Sequence, residues 1–232
     1  MKHYYLIFFF LIFYSCDFIT EEEYYSRALN HEDKRDYQGA IVLLDKAIAR
    51  KPDYKDAFIF RGYCKAQMGN IKESTVDYLK ALKLEPNNTM ILFNLAINYN
   101  DISNFEEGIK YYTKALESKY LKTCDATTEE TLLEIVSPFD NSNETGYEIK
   151  VCELYYWRGI SYYKNKEYDA AIRDLKEAIK VNFNKYEAYY YLGEIYLKKE
   201  DFQNACKNFS LAADIGNAEA VKKMKELCQN KE

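Results

Sequence analysis

Histidine is almost absent from this 232-residue chain: only His3 and His31 occur, and His3 lies in a segment expected to be removed. General acid–base chemistry near neutral pH draws most often on imidazole, so little is left to build it from. A phosphate loop of the form G-x-x-x-x-G-K-S/T is missing, as are G-x-G-x-x-G, a C-x-x-C pair and the H-E-x-x-H helix of zinc proteases. No catalytic residue, metal ligand or cofactor is therefore assigned. An enzyme would have to use His31 with Glu32 and Asp33, or acids of a later insertion. Cations form no block: 32 Lys and Arg are scattered among 37 Asp and Glu for a formal net charge of -5, which argues against nucleic acid as a partner. Glycine (8) and proline (3) are scarce, while 48% hydrophobic residues speak against disorder.

What is abundant is tyrosine, 24 residues, with 13 phenylalanines beside it. In a helical protein these rings are either packed or displayed.

Residues 1–16 hold one basic residue, Lys2, an apolar run from Tyr4 to Tyr14, and then Ser15-Cys16. Such a run is too short for a spanning helix, which needs about 20 residues, and reads as the hydrophobic part of a signal peptide over 1–15. A small residue before cysteine at this point resembles the lipobox of bacterial lipoproteins. That resemblance implies lipidation of Cys16, although Phe13 and Tyr14 depart from its usual residues. The alternatives are an ordinary signal peptide or an uncleaved anchor. Glu21-Glu22-Glu23 behind the cysteine resemble the surface-export signal of lipoproteins in the Bacteroidetes, and also suit the N-terminal dipole of a first helix. Residues 16–20 then form a tether reaching roughly 14 Å. The expected location is the bacterial envelope, with the outer membrane favoured over the inner, although Asp17 directly after the cysteine resembles the inner-membrane retention signal of enterobacterial lipoproteins.

From Glu21 onward a 34-residue period appears. Ala47, Ala81 and Ala115 share it, as do Pro52 and Pro86, and Ala178 and Ala212. In 186–213 Tyr189, Leu192, Gly193 and Tyr196 mark one helical face, a polar turn follows, and Phe202, Ala205, Phe209 and Ala212 mark a second. A hairpin of two amphipathic helices cannot bury both faces alone and needs stacked neighbours. Similar sets recur at Tyr155, Gly159, Tyr162, Ala171 and Ala178; at Leu92, Ala96, Tyr99, Gly108 and Ala115; at Phe58, Gly62, Tyr78 and Ala81; and more weakly at Tyr24, Ala28, Ala40 and Ala47. This pattern resembles the tetratricopeptide repeat. The resemblance implies an all-α, right-handed superhelical solenoid of about five hairpins. Repeats 1–3 would occupy 21–120, an insertion 121–150, repeats 4–5 151–216, and a capping helix and tail 217–232. The insertion is expected to hold a short helix from Thr127 and to serve either as a lid or as solvated decoration. Its Asp140–Gly146 stretch departs from a calcium loop. Cys124 and Cys152 bracket it and could close it as a disulfide, or remain separate thiols; Cys206 reads as a core residue that need not meet Cys228.

The family also implies a concave groove lined by first helices. Its candidate peptide-binding residues here are Tyr25, Phe60, Tyr63, Phe93, Asn94, Tyr156, Trp157, Tyr163, Tyr190, Tyr191 and Glu194, an aromatic row with an acidic rim. This suits an extended protein or peptide partner with apolar, proline or Lys/Arg residues. The Lys/Asn clamp on chaperone carboxylates is not matched: Tyr25, Leu29, Phe60, Met90 and Asn94 stand at its positions. The expected function is a membrane-anchored interaction scaffold that uses neither a cofactor nor a small-molecule substrate. A component of envelope assembly machinery or a self-associating module is the alternative.

Overall fold

The computed structural model of the chain describes residues 19–118, 121, 124 and 149–228. The expected signal segment, Cys16, the Thr127 helix and the Asp140–Gly146 loop lie outside them. Eleven α-helices make up the described residues: α1 Glu21–Glu32, α2 Tyr37–Arg50, α3 Lys55–Gln67, α4 Ile71–Leu84, α5 Thr89–Asp101, α6 Phe105–Leu116, α7 Val151–Lys164, α8 Tyr168–Lys180, α9 Lys185–Lys198, α10 Phe202–Asp214 and α11 Ala218–Leu227. They pair in sequence order into five hairpins, each packed on the next, with α11 closing the end against α10. The architecture is the expected all-α solenoid.

Helix starts follow from short polar side chains. Thr20, Asp36, Asn88, Asn104, Asp201 and Asn217 each accept a hydrogen bond from the backbone N–H three residues on, satisfying a donor that the helix leaves open. Inside each hairpin a small residue faces a large one. A Cβ built on Gly193 would lie 2.6 Å from the Phe209 ring, so that glycine permits the close crossing of α9 and α10. Tyr78, Tyr112, Leu175 and Phe209, at matching places on α4, α6, α8 and α10, are all buried.

The insertion does not interrupt the stack. Repeat 4 sits directly on repeat 3: Arg158 Nη1 donates to Thr113 Oγ1 at 3.1 Å and Asn100 Nδ2 to Ser161 Oγ at 2.7 Å. Leu154 shares one apolar core with Tyr112 and Phe93, and Trp157 packs against that core as well as the next. Cys124 and Cys152 form a disulfide with Cα atoms 6.0 Å apart, tying the start of the insertion to the first turn of α7. A second disulfide joins Cys206 to Cys228 and staples α11 to α10. Cys206 is therefore a half-buried bridge residue rather than a core thiol. Its place on α10 faces the capping helix.

Candidate functional site

The first helices of successive hairpins form one side of the solenoid, and α7 touches α9 directly. Eleven side chains on this side were candidates for contact with a partner, and the structure divides them. Phe60, Tyr63, Phe93 and Tyr156 are buried. With at most 6% of each exposed, they offer a partner little surface. Phe60 packs against Tyr25 at 5.7 Å, and Tyr63 against Tyr37 at 6.2 Å while donating to Glu32 Oε1 at 3.2 Å. Phe93 meets Tyr112 at 5.8 Å, and Tyr156 lies between Trp157 and Phe183 with its hydroxyl on Glu187. Phe60, Tyr63 and Tyr156 thus bind repeat to repeat, while the Phe93–Tyr112 contact lies within the third hairpin.

Tyr25, Asn94, Trp157, Tyr163, Tyr190, Tyr191 and Glu194 remain half-buried, each with some surface accessible. Four of them converge at the C-terminal end. Tyr163 on α7 stands 5.6 Å from Tyr191 on α9, and Tyr191 stands 5.8 Å from Tyr190, which continues 5.9 Å to Phe209. Burial, and then the negative charge of Glu194, push the Tyr163 hydroxyl up to about 12. Burial also raises Tyr190 and Tyr191, helped by Glu194 and Glu187 respectively. All three phenols are neutral at physiological pH and present an apolar face with a hydrogen-bonding tip.

The acid in this patch has an unexpected partner. Lys223 Nζ of α11 lies 2.8 Å from Glu194 Oε1, so the capping helix supplies a cation to the last hairpin's groove face. The position of Lys223 after the break at Gly216, where φ is +104°, gave no hint of this pairing in the sequence. At the opposite end Tyr25 packs on Tyr54 at 5.5 Å, its hydroxyl raised by burial and then by Asp56. Between the two ends Asn94 and Trp157 are the accessible members.

His31 and Cys64, the histidine and the free cysteine among the described residues, both sit in structural settings. His31 Nδ1 is 2.7 Å from Asp36 Oδ2, while Asp36 Oδ1 accepts from Gly39 N–H at 2.9 Å, a clamp on the first hairpin turn. Cys64 is buried in apolar surroundings that push its thiol up to about 12, leaving it largely protonated. Among the described residues no group of His, Cys, Asp and Glu could hold a metal ion, and no helix is long and apolar enough to cross a membrane.

Two buried charge clusters escaped the reading of motifs. Arg61 grips the buried Asp77 through Nε and Nη2 at 2.8 and 2.6 Å, Lys65 adds a contact at 2.6 Å, and Arg61 Nη1 reaches Asp45 at 2.5 Å. Arg158 grips Asp174 the same way, at 2.7 and 3.0 Å. In both hairpins the arginine directly precedes the small glycine and the aspartate lies 16 residues on, a recurrence that could have disclosed them.

Stacked antiparallel helix pairs with accessible first helices define a class, the helical-hairpin solenoids. Within that class the chain belongs to the tetratricopeptide repeat family: models of that description match residues 56–88, 91–120 and 156–220, together more than half of it. The chain is similar to human Protein O-mannosyl-transferase TMTC3, 37% identical over 79 residues, which are 34% of this chain and 9% of that protein. Similarity to the bovine SGT1 homolog is 30% over 93 residues, 40% of this chain and 27% of the relative. Human DnaJ homolog subfamily C member 7 is 22% identical over 90% of this chain and 46% of its own length. The chain thus spans less than half of each of these relatives. Among solved structures, YrrB, titled a TPR protein with an unusual peptide-binding site, superposes with a TM-score of 0.69 at 17% identity, covering 88% of this chain and 91% of YrrB. MamA from Desulfovibrio magneticus RS-1 gives 0.66 at 14%, covering 84% and 93%. At such identities the likeness is one of fold.

Proposed function

We propose that this chain is a lipid-anchored interaction scaffold of a bacterial envelope. It would hold an extended segment of a partner protein across repeats 4 and 5. The observation that carries this is the run of half-buried rings Tyr163, Tyr191 and Tyr190 beside Glu187 and Glu194. Neutral phenols stacked in a row offer faces to apolar, proline or guanidinium groups, and their tips offer hydrogen bonds to a peptide backbone. The acids give the surface a preference for Lys or Arg in the partner, although Lys223 already compensates Glu194. Anchoring rests on Ser15-Cys16 behind the apolar run and places the array close to the bilayer, as a component of envelope assembly machinery would require.

Affinity capture from envelope membranes with the wild type and a Tyr163→Ala/Tyr190→Ala variant tests the groove. Tyr156 is left intact because it is core. Aromatic anchors at interfaces are worth about 2 kcal/mol or more each, so partner recovery should fall at least about tenfold. Recovery of the same partners in the same amount defeats the groove assignment. In the same preparation Cys16→Ala should release the chain from membranes, and unchanged attachment defeats the anchor.

A further inference from the structure

The cations that form no block in the sequence are gathered by the fold. At exposed positions α2, α4, α6, α8 and α10 carry eleven Lys or Arg against five Asp or Glu, in a chain whose formal net charge is -5. Exposed positions of the first helices α1, α3, α5, α7 and α9 carry three cations and four anions. The repeat explains the asymmetry. Lys46, Lys80 and Lys114 are spaced by 34 residues, as are Arg173 and Lys207, so each set takes the same place on successive second helices.

Lys46 and Arg50 lie over the Tyr24 ring, Lys80 over Phe58, and Lys110 and Lys114 over Tyr111, contacts with neutral rings that leave the positive charge in place. Lys110 is held by Glu107 at 2.8 Å and Lys180 by Glu177 at 2.6 Å. Two of the five acids are compensated too, Asp45 by Arg61 and Asp169 by Lys199, each at 2.5 Å. Large apolar side chains are interleaved with the cations: Val42 and Val76, again one repeat apart, and Leu84 and Phe202 are 45–52% exposed on the same helices.

We propose that this outer face lies against an anionic lipid surface, with its lysines and arginines at headgroup phosphates and the four apolar side chains in the interfacial layer. Cations favour an anionic leaflet by electrostatics, and apolar residues among them add burial that a phosphodiester backbone would not reward. That combination selects lipid over nucleic acid. The proposal rests on the lipid anchor at Cys16, whose short tether keeps the face at high local concentration beside the bilayer. The groove on the opposite side then stays open to its partner.

The test reconstitutes the full lipidated chain on neutral phosphatidylcholine vesicles and on vesicles with about one third phosphatidylglycerol. Acetylation rates of Lys80, Lys114, Lys176 and Lys207 are read by mass spectrometry. On anionic vesicles these should fall at least about threefold and recover in 1 M salt, where the screening length is only about 3 Å. Lys164 and Lys198, on first helices, should not change. Equal rates on the two vesicles overturn the proposal. A Lys80→Glu/Lys114→Glu/Lys207→Glu variant, with helical content and melting checked, should stay vesicle-bound yet lose the protection of Lys176, the reporter it retains. Should the chain leave neutral vesicles, it is the anchor that fails, and co-sedimentation with anionic vesicles alone then decides the face. Protection by duplex DNA equal to that by anionic vesicles would overturn the choice of lipid.

Discussion

Asp77 shows how one residue can hold a hairpin together and yet be invisible as a motif. Its carboxylate is buried, and Arg61 and Lys65 surround it with three short contacts. Desolvating the group is costly, and the pair is worth keeping because both carboxylate oxygens accept charged hydrogen bonds, one on Oδ1 and two on Oδ2. Asp77→Ala leaves the Arg61 guanidinium, itself mostly buried, against the exposed Asp45 and the Phe58 ring. We expect urea unfolding to show a loss of about 3 kcal/mol, the size typical of breaking a buried pair from one side. A loss under about 1 kcal/mol would mean that Asp45 and solvent take over the role. The same scale explains the divided groove. Tyr156 and Trp157 are neighbours of similar chemistry, yet one is core and the other half-buried, because the helix turns successive side chains by about 100°.

At the scale of elements, the hairpin turn is more regular than its sequence. Arg35, Gly69, Ser103, Lys166 and Glu200 occupy corresponding places in the five turns, and all have φ between +56° and +79°. Only one of the five is glycine. For the others the left-handed conformation crowds Cβ against the backbone, at roughly 1 kcal/mol or more each. Lys166→Gly and Glu200→Gly should each stabilise the array by about 0.5–1 kcal/mol, and Gly69→Ala should destabilise it by a similar amount. Calorimetric melting of the three variants checks the signs; a stabilising Gly69→Ala would contradict the turn geometry. The recurrence could not be read from side-chain type, since Arg, Ser, Lys and Glu share no turn signature. It becomes visible only when the 34-residue register is laid over the backbone.

For the whole molecule the question is whether five hairpins behave as one array despite the long connection between repeats 3 and 4. Solenoid stability is the sum of unit terms and nearest-neighbour interfaces, so the interface between α6 and α7 decides it. Trp157 packed on two cores and the Arg158–Thr113 contact make that interface like the others. Replacing residues 126–146 by a flexible Gly/Ser linker of about ten residues should therefore preserve a single cooperative unfolding transition. Two separate transitions would show that the insertion itself couples the halves. The two faces of the array follow from the same arrangement: first helices present tyrosines and acids, second helices present cations, and neither grouping is adjacent in sequence.

The sequence by itself determined the helical hairpin, its 34-residue period, the stacking faces and the capping helix, because helical periodicity and small-residue spacing are local properties that survive without neighbours. The groove was legible only in outline. Which of its rings are glue between repeats and which are accessible depends on the width of the side chain opposite, as Phe60, Tyr63, Phe93 and Tyr156 show. Only the tertiary structure decided that Lys223 meets Glu194, that Cys206 meets Cys228, and that scattered lysines share one face. Each of these is a juxtaposition across turns or repeats, set by how helices pack rather than by how residues follow one another.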